Sequence, residues 1–177
     1  ELVQTVMAGG KDAFFQAVEN AEDRLEDGMN KLKGKNITPF DSVIGITASG
    51  TTPFVMGALQ YAQSVGAFTV SLTSNINSEV SRHAEEAIEV VVGPEILTGS
   101  TRLKAATSHK MILNMISTAS MVQLGKVYEN LMVDVHASNK KLIERAKRIV
   151  IAATDCEYVE AEQMLEKTKF ADRKSVV

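Results

Sequence analysis

The sequence predicts an α/β fold: a parallel sheet with helices on both faces, followed by C-terminal helices. Three observations carry that prediction. Short runs rich in β-branched residues alternate with helical patterns along the first half of the chain. Each run is bounded by Gly, Asn, Ser or Pro. The connections are long enough for crossover helices, and strands joined that way pair in parallel with right-handed connections, which puts helices on both faces of the sheet.

The expected strands are "LVQTVMA" (2–8), "DSVIGITA" (41–48), "AFTVSLTS" (67–74) and "AIEVVVG" (87–93). A helix over 11–32 follows Gly9-Gly10 and ends near Gly34. The next, over 52–65, opens on Pro53, whose fixed φ suits a first helical position, and stops at Gly66. A short one covers 77–86. From Ser100 to about Lys126 the pattern predicts a long helix in which Met111, Ile112, Met115, Ile116, Ala119, Met121 and Val122 are apolar on more than one face. Burial on several sides is the expectation for such a helix. An amphipathic helix at roughly 138–153 carries Leu142, Ile143, Ile149 and Val150, and "TDCEYVEAEQMLEK" resembles the start of a small helical module.

Composition excludes several classes of function. The 177 residues, 45% hydrophobic and 23% charged, suffice for one well-filled α/β domain and are too few for two large ones. A net charge of −3 gives no electrostatic case for nucleic acid or an anionic membrane, and a charge-neutral reader of single strands would want exposed aromatics, of which Trp is absent. Cys156 is the only cysteine, so neither a disulfide nor a cysteine zinc site forms within one chain. No apolar run reaches the roughly 18 residues of a membrane span, and "ELVQTVMAGG" lacks a basic leader region. A cytoplasmic protein is expected.

The chemistry concentrates where strands run into helices. In "GITASGTTPFV" (45–55) a buried strand breaks into a hydroxyl-rich turn and a proline-started helix. Ligands of open parallel sheets sit past the carboxyl ends of the strands. Ser49, Gly50, Thr51 and Thr52 occupy that place, and their amides and hydroxyls, with the positive end of the helix dipole, suit a phosphate. The same letters also fit a plain N-cap by Thr51 or Thr52. They are neither a P-loop nor a dinucleotide fingerprint. A second such turn lies in "VGPEILTGSTRLKAATSHK" (92–110), with Thr98, Ser100 and Thr101 before a helix and Lys104 beside the small residues Ala105 and Ala106. Arg102 reads as a solvated charge. Third, "AVENAEDRLEDG" sets Glu19 and Glu22 three apart, on one face of the expected first helix, tied to the core by Phe14, Phe15, Val18 and Leu25. Such a charge run also fits a wet helix face.

The stretch "GPEILTGSTRLKAATSHKMILNMISTASMVQLGKVYENLMVDV" resembles the signature region of N-acetylmuramic acid 6-phosphate etherases, peptidoglycan-recycling lyases built on the sugar isomerase (SIS) domain. "AGG", "AVENAED" and "ITASGTTPFVMGALQYA" are similar to the same family, in the same order, and glucokinase regulatory protein is a more distant relative. The resemblance implies a flavodoxin-like sheet, a homodimer, a phosphorylated amino sugar at its carboxyl edge, and neither metal nor organic cofactor. It implies an SIS domain over 1–135, lacking the family's first strand, and the start of a helical module over 136–177. An arginine is usual where Thr51 stands, a glycine where Ala106 stands, and Cys-Asn-Pro where Ser74, Asn75 and Ile76 stand. The family's first helices, first strand, one phosphate loop and an acidic motif would precede residue 1, so a piece of a longer protein is expected.

The activity implied is elimination of D-lactate from N-acetylmuramic acid 6-phosphate and hydration to N-acetylglucosamine 6-phosphate. By the resemblance Glu22 is the catalytic carboxylate, Glu19 binds a sugar hydroxyl, and Ser49, Gly50, Thr51, Thr52, Ser100 and Lys104 bind substrate. The alternative is a non-catalytic phosphosugar sensor of the glucokinase-regulator type.

Overall fold

The computed structural model describes residues 2–170, and the closing "RKSVV" lies outside them. The chain divides into two compact units, Glu1–Ile112 and Leu113–Val177.

The first unit is built on a three-stranded parallel sheet of β1 (Ser42–Ile46), β2 (Phe68–Thr73) and β3 (Glu86–Glu89), in that spatial order. Ser42 faces Phe68 and Ile46 faces Leu72, while Val70 faces Glu86 and Thr73 faces Glu89. Helices flank the sheet, as the α/β pattern predicts. Helix α1 is Leu25–Lys33 and α2 is Pro53–Ser64, with Pro53 in the first position. Past α2 the chain turns through Gly66, whose φ of 80° is left-handed.

Burial explains why these segments hold. Leu59, Ala62, Ala67, Leu72 and Val80 are fully buried. A Cβ at Gly45 of β1 would lie 2.7 Å from Val55 and 2.8 Å from Leu59, so that strand meets α2 through a glycine. The central strand also buries Thr69, Ser71 and Thr73 completely. Their hydroxyls are satisfied: Thr69 Oγ1 accepts the Glu85 amide, Ser71 donates to Ser81, and Thr73 donates to the Asn75 carbonyl at 2.9 Å. Helices α1 and α2 approach closely enough that a Cβ on Gly28 would overlap the Phe54 carbonyl, and one on Gly57 the Leu25 carbonyl.

Several expectations need correction. Residues 2–8 form no strand: the segment is largely exposed, and Gln4 accepts a bond from Lys35 instead of joining a ladder. β-Branched residues make a run able to pair, but a strand exists only where another strand's edge receives it. The helix over 11–32 is interrupted. Gly9 and Gly10 are left-handed and lead into a 3-10 turn, Gly10–Phe14, while Asn20 takes φ 56° and only Leu25–Lys33 is α-helical. Glu19 and Glu22 are therefore loop residues, not neighbours on a helix face. The helix over 77–86 is one 3-10 turn, Val80–His83, because Ser78 and Glu89 hold its start with side-chain bonds. Helix α3 spans Lys104–Gln123, so Ser100 precedes it by four residues. It buries only Ala105 and His109, contrary to the expected burial on several sides. Apolar content records what a helix can bury, and no described element covers most of this one.

In the second unit β4 (Val127–Tyr128) and β5 (Leu131–Met132) form an antiparallel hairpin through Glu129 at φ 52°, which the sequence reading did not foresee. Val133, Val135 and Ile149 form a cluster beside it. Helix α4 (Lys140–Thr154) is capped by Asn139, which accepts the Leu142 amide at 3.0 Å, and α5 (Tyr158–Lys167) by a reciprocal box of Glu157 and Glu160. Between them pack Ala146, Val150, Ala161 and Leu165. Half-polar Lys147 is buried there with its ammonium on Glu162 and on the Tyr158 hydroxyl, which raises its pKa. No helix among the described residues is long and apolar enough to cross a membrane.

The close crossing makes a sharp prediction. Gly57→Ala is expected to destabilise the protein by about 1–3 kcal/mol although alanine is the better helix former, since its methyl must push α1 away. Gly34→Ala, where the nearest atoms to a new Cβ lie 3.6 Å away, is expected to be close to neutral. Chemical denaturation of the two variants checks the pair.

Candidate active site at the carboxyl ends of the strands

β1 ends at Ile46, and the chain turns immediately through Thr47 to Thr52 before α2 begins. Four hydroxyls meet in that turn. Thr47 Oγ1 lies 2.7 Å from Thr52 Oγ1 and 3.3 Å from Ser49 Oγ, and Thr51 donates to Ser49 Oγ from its hydroxyl at 3.2 Å. Thr52 holds the N-cap position, yet its side chain caps nothing and points its hydroxyl into this cluster. The simple cap is thus not what the residue does.

The turn's amides are engaged by long bonds. Gly50 donates to Thr47 Oγ1 at 3.4 Å and Thr51 to Ser49 Oγ at 3.2 Å. Gly50 has φ 77°, and a Cβ there would run into Ser78, so the backbone sits where only glycine fits. From the end of β2, Asn75 donates from Nδ2 to the Ala48 and Ser49 carbonyls at 3.1 and 3.0 Å. Thr47, Asn75 and Ser78 were missed by sequence reading: Thr47 reads as the end of the strand, and Asn75 and Ser78 meet the turn from a segment distant in sequence. At the end of β3, the Ser81 hydroxyl and the Asn77 and Ser78 amides hold the Glu89 carboxyl below its usual range.

Glu22 reaches this region by its backbone. The Phe54 amide, in the first turn of α2, donates to the Glu22 carbonyl at 3.0 Å. A helix start leaves such amides without intrahelical partners, so a loop carbonyl is a natural occupant. Glu19 and Glu22 are exposed and line an open depression of about 310 Å³ together with Ala8 and residues 17–23. The hydroxyl turn is not part of that lining.

The second hydroxyl-rich segment behaves differently. The first two amides of α3, those of Lys104 and Ala105, both donate to the Glu95 carboxylate at 3.0 Å. Those bonds, that from Ala105 first, hold the Glu95 carboxyl below its usual range, so α3 carries an anion supplied by the chain itself. Lys104 donates from Nζ to the Pro94 carbonyl at 2.8 Å. No hydrogen bond among the described residues joins Ser100 or Lys104 to the Ser49–Thr52 turn. Among the described residues of α3, His109 reaches this region, with its Nε2 3.0 Å from Ser74 Oγ. Burial pushes the His109 pKa down, opposed by the Thr73 carbonyl. Among the described residues no group of three or more His, Cys, Asp or Glu could hold a metal ion.

The Glu95 clamp is testable by pH. A carboxyl with a lowered folded pKa contributes stability that is present above its unfolded value, about 4.3, and lost as pH falls through the folded value. Amide protection at Lys104 and Ala105 is expected to persist from neutral pH down through the ordinary glutamate range and to be lost only as pH falls further, through the lowered folded value. Glu95→Ala is expected to remove that protection at every pH, as NMR hydrogen exchange would measure.

Known proteins are similar along nearly the whole chain. The model of the glucokinase regulatory protein N-terminal SIS domain matches residues 1–63. An N-acetylmuramic acid 6-phosphate etherase of Clostridium beijerinckii is 56% identical over 170 residues, covering 96% of this chain and 56% of the relative. That of Bacillus subtilis is 56% identical over 172 residues, covering 97% and 57%. An etherase of Lactiplantibacillus plantarum is 58% identical over 156 residues, covering 88% and 53%. The chain thus spans about half the length of these relatives. With its parallel α/β sheet and this identity over nearly all its residues, the chain belongs to the sequence family of the N-acetylmuramic acid 6-phosphate etherases.

Proposed function

We propose that the protein containing this chain is an N-acetylmuramic acid 6-phosphate etherase, a carbon–oxygen lyase of cell-wall recycling that works in the cytoplasm. The names of the relatives support this reaction over a non-catalytic sensor. The SIS domain is assigned to 1–135 and the start of a helical module to 136–177.

The substrate in its open-chain form has an aldehyde at C1 that acidifies the C2 proton. Glu22 removes that proton as a carboxylate, and the C3–O bond to lactate breaks as the C2–C3 double bond forms. Water then adds at C3 and a proton returns to C2, which gives N-acetylglucosamine 6-phosphate and D-lactate. This is general base catalysis on a positioned substrate. No described residue is assigned the acid that protonates the departing lactate oxygen. Glu19 binds a sugar hydroxyl. The phosphate is held by the hydroxyls of Ser49, Thr51 and Thr52 and the Gly50 amide, whose long internal bonds are replaced by bonds to the anion. Ser100 and Lys104 complete the grip.

The observation that carries the assignment is the bond from the Phe54 amide to the Glu22 carbonyl, which joins the base-bearing loop to the helix that starts at the hydroxyl turn. Glu22→Gln keeps the shape and removes the base. In the full-length protein it is expected to lower lactate release and solvent deuterium uptake at C2 by about 10²-fold or more, with substrate still bound. Wild-type exchange in the variant would assign the proton transfer to another residue, and a wild-type protein releasing no lactate would refute the reaction.

A homodimer through α3 is also proposed. Met111, Met115, Met121 and Val122 are between 37% and 59% exposed along that helix. Apolar side chains repeated along one helix are costly to leave in water. Light scattering at micromolar concentration is expected to show a dimer, and Met115→Glu to weaken it, whereas a wild-type monomer would refute the assignment.

A further inference from the structure

We propose that His109 is a positioning residue for the anion-holding turn, acting through the Ser74 hydroxyl; this rests on the assignment of Ser49–Thr52 to phosphate binding. His109 is 7% exposed and, with Ala105, the only buried residue of α3. A ring so placed would normally be filled by an apolar side chain unless its nitrogens were needed. Its Nε2 meets Ser74 Oγ at 3.0 Å.

Ser74 belongs to a short strut from which the turn hangs. Its amide donates to the Ala48 carbonyl at 3.1 Å, and the next side chain, Asn75, donates to the carbonyls of both Ala48 and Ser49. Thr73 holds the strut from below through the Asn75 carbonyl, and Val90 of the next segment donates to the Thr73 carbonyl at 2.8 Å. The carbonyls of residues 48 and 49 therefore take three donors from residues 74 and 75. Whatever fixes Ser74 fixes the direction in which Ser49 and Gly50 present their polar groups.

His109 fixes Ser74 from α3. It lies five residues beyond Lys104 on that helix, roughly 7.5 Å along the axis. Lys104 and Ala105 are themselves locked to Glu95. The imidazole, beside the Ser74 hydroxyl and the Thr73 carbonyl, thus ties α3 to the strut and links the two hydroxyl-rich segments assigned to the same ligand. A residue acting this way tunes how well the substrate is held and leaves the proton transfer at C2 untouched.

The test uses the full-length protein with N-acetylmuramic acid 6-phosphate as substrate. His109→Leu keeps the volume and removes both nitrogens. It is expected to raise KM about tenfold with kcat within about twofold, while His109→Gln, which still reaches Ser74 with a polar group, stays within about threefold of wild type. Ser74→Ala combined with His109→Leu is expected to cost little more than either alone, because both cut the same link. Hydrogen exchange supplies a second reading that needs no turnover: amides of 48–51 and 74–75 are expected to lose protection in His109→Leu while those of β2 and α2 keep theirs. An unchanged KM, or an evenly spread loss of protection across the first unit, overturns the proposal. A wild-type protein that releases no lactate defeats the assigned reaction instead, and the exchange pattern then decides the His109 link by itself.

Discussion

The packing of α1 on α2 is the constraint from which the candidate site follows. Helices normally stand 8–10 Å apart, held off by side chains. Here Gly28 sits against the Phe54 carbonyl and Gly57 against the Leu25 carbonyl, so each helix presents a bare stretch of backbone to the other. The loop leading into α1 is thereby drawn over the first turn of α2, and the Glu22 carbonyl can take the Phe54 amide. On its far side α2 meets β1 across Gly45, with Val55 and Leu59 filling the space a side chain would need. Three glycines in three elements keep the carboxylate loop, the helix start and the sheet edge within one small volume.

The two helix starts at this edge are finished by opposite means. α3 receives a carboxylate from Glu95, which satisfies two amides and offsets the positive end of the helix. α2 receives a neutral carbonyl from Glu22, and the hydroxyls before it bond mainly to one another. A neutral hydroxyl cluster before a helix N-terminus retains its attraction for an incoming anion, whereas a start already carrying a carboxylate has lost most of it. The difference supports the proposal that a phosphate goes to the Ser49–Thr52 turn, and under that proposal Lys104, which donates to the Pro94 carbonyl, must exchange this bond to join it.

The second unit obeys simpler rules. Its two helices are capped by Asn139 and by the Glu157–Glu160 box, their contact is made by small and branched residues, and Lys147, the one buried charge among its described residues, is matched by Glu162 and Tyr158. The bonds to Glu162 and Tyr158 favour the charged form of Lys147, so the three side chains act as a set.

What the sequence determined by itself was local or periodic. β1, β2, α2 and the helices near 140–154 and 158–167 were legible because strand runs, a proline at a first helical position, Gly66 and amphipathic spacing each act within a few residues. The hydroxyl turn was legible too, and the motif order disclosed the family. Tertiary structure alone decided the rest. Residues 2–8 had strand-forming side chains yet pair with no strand among the described residues, and Glu19 and Glu22 had helical spacing but lie in a loop past Asn20 at φ 56°, with the Glu22 carbonyl bonded to Phe54. The parts played by Asn75 and His109 could not be read, since each depends on a partner brought close by the fold, and those of Thr47, Ser78 and Glu95 rest on loop geometry that no periodic pattern reports. A hydrogen bond at 3 Å depends on the position of both groups, and pattern along a chain reports only one of them.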